Sequence, residues 1–243
     1  MSNFSADSAR TASQAGSSLE STIQQLSSES LKLRLAAVKA LAEAGEAGEL
    51  SLIDFLRSRP QPEPALGKAH QLLSCSHSPL VQSFLENELA EGIVPLISAR
   101  SIDYSELQHL LVRQAYEAAD RLTLQKLCEL AGADAIKRKW VYFTEVDSFP
   151  IEDLRTIDQL WRIYSEDRFG FSQQREIWLS TGRSWDQLWN RLAWRSGSAW
   201  TRYPGEFVWD LSAPVGHLPL TNQLRGVRMM ESLLSHPAWQ RSD

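Results

Sequence analysis

The first hundred residues carry apolar side chains at steps of three and four residues, which is the spacing of helices with one buried face. This pattern predicts four short helices, separated by a glycine pair that includes Gly48, by the proline cluster Pro60–Pro64 and by Pro79. Short helices in series are typical of a small bundle or solenoid. We therefore predict a disordered tail over residues 1–20 and an N-terminal helical bundle over residues 21–97.

A second helical region begins near residue 101 and has clear start signals. Asp103, followed three residues later by a glutamate, predicts a capping box on the first helix of this region. Further helix starts are predicted at Pro150, Ser172 and Ser184. Because strand signals are nearly absent, the sequence predicts an all-α fold, with a second domain over residues 101–236.

The segment from Trp194 to Thr221 departs from this helical pattern. It shows little helix or strand signal, and loops of that length in a compact domain are usually functional or disordered. Disorder does not suit its large apolar side chains, which are Trp194, Trp200, Tyr203, Phe207, Trp209 and Leu218. Two interpretations remain open: the segment closes on its own domain, or part of it forms the wall of a ligand pocket.

Basic side chains accompany these aromatic residues near the end of the chain. A last helix is predicted to start at about Asn222, and Arg225 and Arg228 then lie three residues apart on one of its faces. Arg202 is a further arginine near these aromatic residues, and arginines bind carboxylates in a bidentate manner. Asn222 lies at the predicted helix N-terminus, where free N–H groups can also bind an anion. A flat apolar ligand with an anionic rim suits this arrangement; a solvated helix face is the alternative interpretation.

Several other kinds of chemistry are not indicated. His217 stands alone in a Pro/Gly-rich loop, where a hydrogen-bonding structural role is commoner than metal ligation. A net charge of −5 disfavours nucleic-acid binding, which needs basic side chains against phosphate. We recognise no catalytic acid–base set, phosphate-binding loop or nucleophile motif, no apolar signal core and no run long enough to span a bilayer. We therefore expect a non-catalytic, cytoplasmic monomer.

Two long stretches of the second half are similar to a known family. They are IEDLRTIDQLWRIYSEDRFGFSQQREIW and YPGEFVWDLSAPVGHLPL, and they contain DLRTIDQLW, RFGFS and GHLP in the order expected for that family. Over residues 101–230 the sequence resembles the genomes-uncoupled porphyrin-binding family, the regulators of magnesium chelatase. The N-terminal part is similar to the extra helical bundle of the cyanobacterial members.

The resemblance implies a helical domain shaped like a cupped hand, which binds protoporphyrin IX and magnesium protoporphyrin IX in an apolar palm. It also implies stimulation of magnesium chelatase in chlorophyll biosynthesis, with the large porphyrin-binding subunit of that enzyme as partner. Membrane contact would be peripheral, at the thylakoid. By resemblance, the propionate-binding residues are Asn222, Arg225 and Arg228. We predict that the palm is lined by Phe143, Trp194, Trp200, Tyr203, Phe207 and Leu218, and that Arg228 or Arg202 is a second propionate contact.

Two other functions remain as alternatives at this point. The aromatic segment also suits a helical scaffold that binds a protein partner and no small ligand, because exposed Trp and Arg are typical of protein interfaces. An enzyme that acts on tetrapyrroles is the weaker alternative, because the sequence offers no acid–base set for it.

Overall fold

The computed structural model describes residues 19–58, 61–220 and 227–240 of the 243-residue chain. The described residues are almost entirely helices and turns, and the predicted all-α class is confirmed. The chain divides into two compact units, Met1–Ile93 and Val94–Asp243. None of the helices within these described ranges is long and apolar enough to cross a membrane.

The N-terminal unit is a series of short helices packed around one apolar core. Within the described residues these helices are α1 (residues 19–25), α2 (Leu31–Ala42), α3 (Glu46–Ser58), α4 (Pro64–Leu73) and α5 (Pro79–Glu88). Helix α2 packs against α3 and α4, and α5 packs against α3. The core includes the fully buried side chains of Val38, Leu41 and Leu52.

Two predicted breaks of this unit are placed differently by the structure. Gly48 does not end a helix but lies inside α3, where a Cβ would stand 1.9 Å from the carbonyl oxygen of Leu41. A close approach between α2 and α3 therefore explains this glycine. Pro64 does not close the preceding helix but is the first residue of α4, where its missing N–H is no loss.

The C-terminal unit contains the remaining helices. They are α6 (Ser105–Val112), α7 (Tyr116–Ala131), α8 (Ala133–Arg138), α9 (Phe143–Val146), α10 (Ile151–Ile163), α11 (Phe171–Ser180), α12 (Trp185–Arg191) and α13 (Arg228–Ser235), followed by a 3-10 turn at Pro237–Trp239. Helix α13 packs against α9 and α11, and α11 also packs against α12. The core of this unit contains aromatic side chains, among them the buried Trp161. The indole N–H of Trp161 donates to Thr123 Oγ1 at 2.9 Å.

The predicted helix starts are only partly reproduced. Ser184 caps α12 by accepting a hydrogen bond from the N–H of Gln187, as predicted. Asp103 lies one residue before the N-cap of α6, and its carboxylate accepts the N–H of Ser105 at 2.8 Å, so the predicted capping box is wrong. Ser172 lies within α11, and its N–H donates to the carboxylate of Asp158, which takes the place of a cap.

Candidate functional site

The aromatic loop, which we define as residues 194–220, starts with a short hairpin and continues as turns. Strand β1 (Arg195–Ser196) pairs antiparallel with β2 (Ala199–Trp200). The N–H of Thr201 then donates to the carbonyl oxygen of Trp194 at 3.0 Å, which closes the base of the hairpin. The sequence did not predict this strand pair, because strands of two residues have no readable alternation.

Three residues predicted to line a palm are enclosed by the protein itself. Trp194 and Leu218 are 0% exposed, and Phe207 is also buried. The indole N–H of Trp194 donates to the carbonyl oxygen of His217 at 2.8 Å, and the ring of Phe207 packs against that of His217. A ligand reaches these three side chains only if the loop moves, so here the loop closes on its own domain.

His217 holds the closed loop through both ring nitrogens. Its Nδ1 lies 2.6 Å from the carbonyl oxygen of Leu192, and its Nε2 lies 3.3 Å from the backbone N–H of Val208. A neutral ring that donates from Nδ1 and accepts at Nε2 satisfies both contacts. Burial lowers the pKa of His217, against a smaller opposing contribution of the Leu192 hydrogen bond, and favours the neutral ring. The interpretation of His217 as a hydrogen-bonding structural residue is confirmed.

Two predicted palm residues of the same loop do face solvent. Trp200 is 37% exposed and Tyr203 is 39% exposed. The guanidinium of Arg195 lies 5.8 Å from the centre of the Trp200 ring, and Tyr203 packs edge-on against the buried Phe207. The loop thus has an enclosed apolar side and an open aromatic side.

Arg202, one of the predicted propionate-binding residues, is strongly exposed. Its side chain is 87% exposed and its Nε lies 4.0 Å from a carboxylate oxygen of Glu206, within the loop. The backbone N–H of Arg202 donates to the other carboxylate oxygen of Glu206 at 2.8 Å. Glu206 therefore competes with any anionic ligand for this guanidinium.

A buried carboxylate of α7 contacts both the middle and the end of the aromatic loop. Asp120 Oδ1 accepts the backbone N–H of Leu220 at 2.6 Å, and its carboxylate is also hydrogen-bonded to the side chain of Tyr203. Burial raises the pKa of Asp120 to about 7, although both hydrogen bonds act in the opposite direction. Sequence reasoning missed Asp120, since its partners lie about a hundred residues further along the chain.

A stack of indole rings from α11 and α12 packs against the start of the loop. Trp178 stacks on Trp185 with 4.9 Å between ring centres, Trp185 on Trp189 with 5.3 Å, and Trp189 on Trp194 with 5.5 Å. Trp200 leans against Trp189 at 5.9 Å. Aromatic pairs of this kind contribute about 0.5–1.5 kcal/mol each beyond their buried area. The stack therefore fixes the start of the loop on α12.

A second exposed aromatic group lies where α9 meets α13. Phe143, the first residue of α9, is 38% exposed, and the guanidinium of Arg228 lies 5.4 Å from the centre of its ring. Two predicted site residues from distant parts of the sequence are thus in contact. A guanidinium over an aromatic face keeps N–H donors at its edge for an anion.

A cleft of about 660 Å³ opens beside this pair. Six of its eight lining residues are polar or charged; the eight are Phe143, Asp147, Arg228, Glu231, Ser232, Ser235, His236 and Pro237. Asp147 and Glu231 would repel the carboxylates of an anionic ligand. The Phe143–Arg228 edge of the cleft is therefore the part that suits such a ligand.

Asn222 and Arg225 lie in the stretch 221–226, outside the described residues. The ends of that stretch are described: Leu220 is bound to Asp120, and Arg228 is the first residue of α13, with Val227 as its N-cap. The propionate-binding roles of Asn222 and Arg225 therefore stay predictions.

The described ranges also bear on metal binding. No group of three or more His, Cys, Asp or Glu side chains in them could hold a metal ion.

Comparison with known proteins matches both units of the chain. A family model described as GUN4-like matches residues 97–237. A second model, described as an ARM-like repeat domain at the GUN4 N-terminus, matches residues 10–89. These matches cover the candidate site and the N-terminal helices respectively.

Individual relatives agree with the family models. A Ycf53-like protein of Synechocystis sp. is 49% identical over 221 residues, covering 90% of this chain and 95% of the relative. A protein named tetrapyrrole-binding protein, chloroplastic, from Arabidopsis thaliana is 38% identical over 149 residues, covering 58% of this chain and 56% of the relative. The solved structure of GUN4 from Chlamydomonas reinhardtii is 39% identical with a TM-score of 0.57, covering 60% of this chain and 96% of that one.

Proposed function

The chain belongs to the GUN4-like family, and on that basis we propose that it binds protoporphyrin IX and magnesium protoporphyrin IX without transforming them. We further propose that it stimulates magnesium chelatase in chlorophyll biosynthesis, with the large porphyrin-binding subunit of that enzyme as partner. The name of the Arabidopsis relative supports the ligand class.

The observation that carries the proposal is the open aromatic side of a loop that is otherwise closed. Trp200 and Tyr203 remain exposed, while their neighbours in the loop are buried. Large exposed rings beside cations are a feature of ligand and partner sites. We propose that the macrocycle lies against these two rings and the Phe143–Arg228 edge, and that its propionates meet Arg228, Asn222 and Arg225.

The buried residues take a different part in this proposal. Trp194, Phe207 and Leu218 support the loop from inside the domain and do not contact the ligand in the closed arrangement. Arg202, which faces Glu206, is a peripheral contact. The expected binding free energy is modest: about 300 Å² of buried apolar surface is worth about 7 kcal/mol before association costs. One or two charge-assisted hydrogen bonds add about 1.5–3 kcal/mol each, and we expect an affinity near micromolar.

A porphyrin titration tests the ligand. All nine tryptophans lie after residue 139, so their fluorescence reports on the unit that carries the site. We expect saturable quenching by a water-soluble protoporphyrin at about micromolar concentration. Tryptophan fluorescence that stays unquenched at high porphyrin concentration would remove the ligand and favour the protein-interaction scaffold.

Variants separate the charged from the apolar contribution. We expect Arg228→Ala to weaken a porphyrin with free propionates about tenfold, and its neutral diester much less, because only the former presents carboxylates. Arg57→Ala, in the N-terminal unit, is the matched control and should change neither affinity. Equal weakening of both ligands by Arg228→Ala would contradict a charge role for this arginine.

Two further measurements test the remaining parts. Adding the protein to purified magnesium chelatase should raise the rate of magnesium insertion, and binding to the large subunit alone should be measurable. Incubation of the protein with protoporphyrin IX and Mg²⁺, but without chelatase, should give no magnesium protoporphyrin. Formation of that product would show that the protein is an enzyme.

A further inference from the structure

Asp120 is placed where it can control the aromatic loop. It lies on α7, is 3% exposed and is covered by chain segments about eighty and a hundred residues further on. It holds Leu220 by the backbone N–H and Tyr203 by its side chain. Leu220 is followed directly by the stretch that carries Asn222, and Tyr203 belongs to the open aromatic side.

We propose that Asp120 is a positioning residue that latches the loop in its closed arrangement, and that docking of the macrocycle on the exposed rings of Trp200 and Tyr203 is completed only after this latch is released. The inference rests on the proposed function, because it concerns access to the same site. It adds a residue whose role is to hold Tyr203 and Leu220 and not to touch the ligand.

The charge of Asp120 is poorly compensated in the closed loop. Among the residues that the structure describes, no cation forms an ion pair with Asp120. The charge of Arg121 lowers the pKa of Asp120, but Arg121 is itself paired with Glu117 on the same helix. Tyr203 and the Leu220 amide supply neutral hydrogen bonds only. A buried carboxylate with neutral donors favours its protonated form, and its pKa rises to about 7.

The difference between the pKa of Asp120 in the closed loop and in the opened loop determines how pH affects opening. The closed loop keeps a proton on Asp120 up to about pH 7, whereas an opened loop exposes the carboxylate, whose ordinary pKa is about 3.9. Opening therefore releases a proton and becomes up to about tenfold more favourable per pH unit between about pH 4 and 7. Above pH 7 the dependence levels off, because both forms are then ionised.

Hydrogen exchange of the Leu220 amide measures the latch without any ligand. In the full-length protein we expect its protection factor to fall between pH 5.5 and 7, by up to about tenfold per pH unit. Asp120→Asn keeps an oxygen acceptor for the Leu220 N–H but cannot titrate, so its protection factor should be nearly independent of pH. Asp158→Asn is the matched control, because it removes another buried carboxylate, which lies in α10 and accepts the N–H of Ser172 in α11, and it should keep the pH dependence.

Stopped-flow association with a water-soluble protoporphyrin tests the gating. Its rate should rise over the same pH range in the natural protein and in Asp158→Asn, and stay flat in Asp120→Asn. The inference is overturned if the association rate has the same pH slope in Asp120→Asn and in the natural protein. It is also overturned if hydrogen exchange shows that the Leu220 amide is released as the pH rises but the association rate does not change. If Asp120→Asn does not fold, a Leu220 protection factor in the natural protein that does not fall with pH is sufficient to overturn it. Absence of any porphyrin binding would instead remove the proposed function and, with it, the gating role.

Discussion

Trp194 offers a direct test of which loop aromatics support the fold and which contact a ligand. In Trp194→Phe the carbonyl oxygen of His217 loses its indole donor, which costs about 1–3 kcal/mol for a buried group. The smaller ring leaves a gap beside Trp189, which adds about 1 kcal/mol. We therefore expect a loss of about 2–4 kcal/mol. Trp200→Phe changes a half-exposed ring whose indole N–H makes no hydrogen bond within the described residues, and should cost less than about 1 kcal/mol.

Urea unfolding followed by tryptophan fluorescence measures this difference in the C-terminal unit, where the tryptophans lie. With a slope of about 2 kcal/mol per molar urea, the midpoint of Trp194→Phe should fall by about 1–2 M. Porphyrin affinity should show the opposite order: Trp200→Phe weakens it, and Trp194→Phe changes it little at urea-free conditions. A stable Trp194→Phe protein that has lost porphyrin affinity would refute the assignment of Trp194 to the support of the loop.

Three further predictions concern other parts of the chain. Gly48→Ala should destabilise the N-terminal unit by about 2 kcal/mol or more, since its Cβ meets the Leu41 carbonyl, and thermal unfolding by circular dichroism measures the loss. Deletion of residues 1–93 should leave porphyrin affinity within about twofold, because the two units are separately compact; a complete loss of binding would place part of the site in the removed unit. Because burial lowers the pKa of His217, its stabilising contribution is present above the unfolded pKa of about 6.5 and is lost as the pH falls through the folded value. The stability advantage of the natural protein over His217→Gln in urea unfolding should therefore shrink from pH 7.5 to pH 5, and a constant difference would contradict this account.

The sequence predicted those features that depend on neighbouring residues. The N-cap at Ser184 and the helix that begins at Pro79 follow from local geometry, and both are found. The failures at Gly48 and Ser172 have one cause: each backbone position is set by a contact from another helix, with Leu41 in one case and Asp158 in the other. Local patterns carry no information about such contacts.

The same distinction between local patterns and contacts from distant residues applies to the candidate site. The aromatic composition of the loop was sufficient to predict that it packs against something, but not which rings it hides. That choice depends on the Trp189 stack and on His217, whose two ring nitrogens tie Leu192 to Val208. The interpretation that the loop closes on its own domain therefore holds for its enclosed side. The ligand-pocket interpretation stays a prediction for its open side.

The division of the loop into an enclosed and an open side gives a physical reason for the proposed latch at Asp120. A loop that hid all of its rings would offer no surface to a macrocycle, and one that exposed them all would lose the burial that stabilises the domain. Trp194 and Leu218 supply that burial, while Trp200 and Tyr203 remain open. Tyr203 is also the exposed ring whose side chain is hydrogen-bonded to Asp120. The proposed docking on Tyr203 would therefore act on the same carboxylate that holds Leu220, so that we expect ligand binding on the open side and release of the Leu220 amide to be coupled through Asp120.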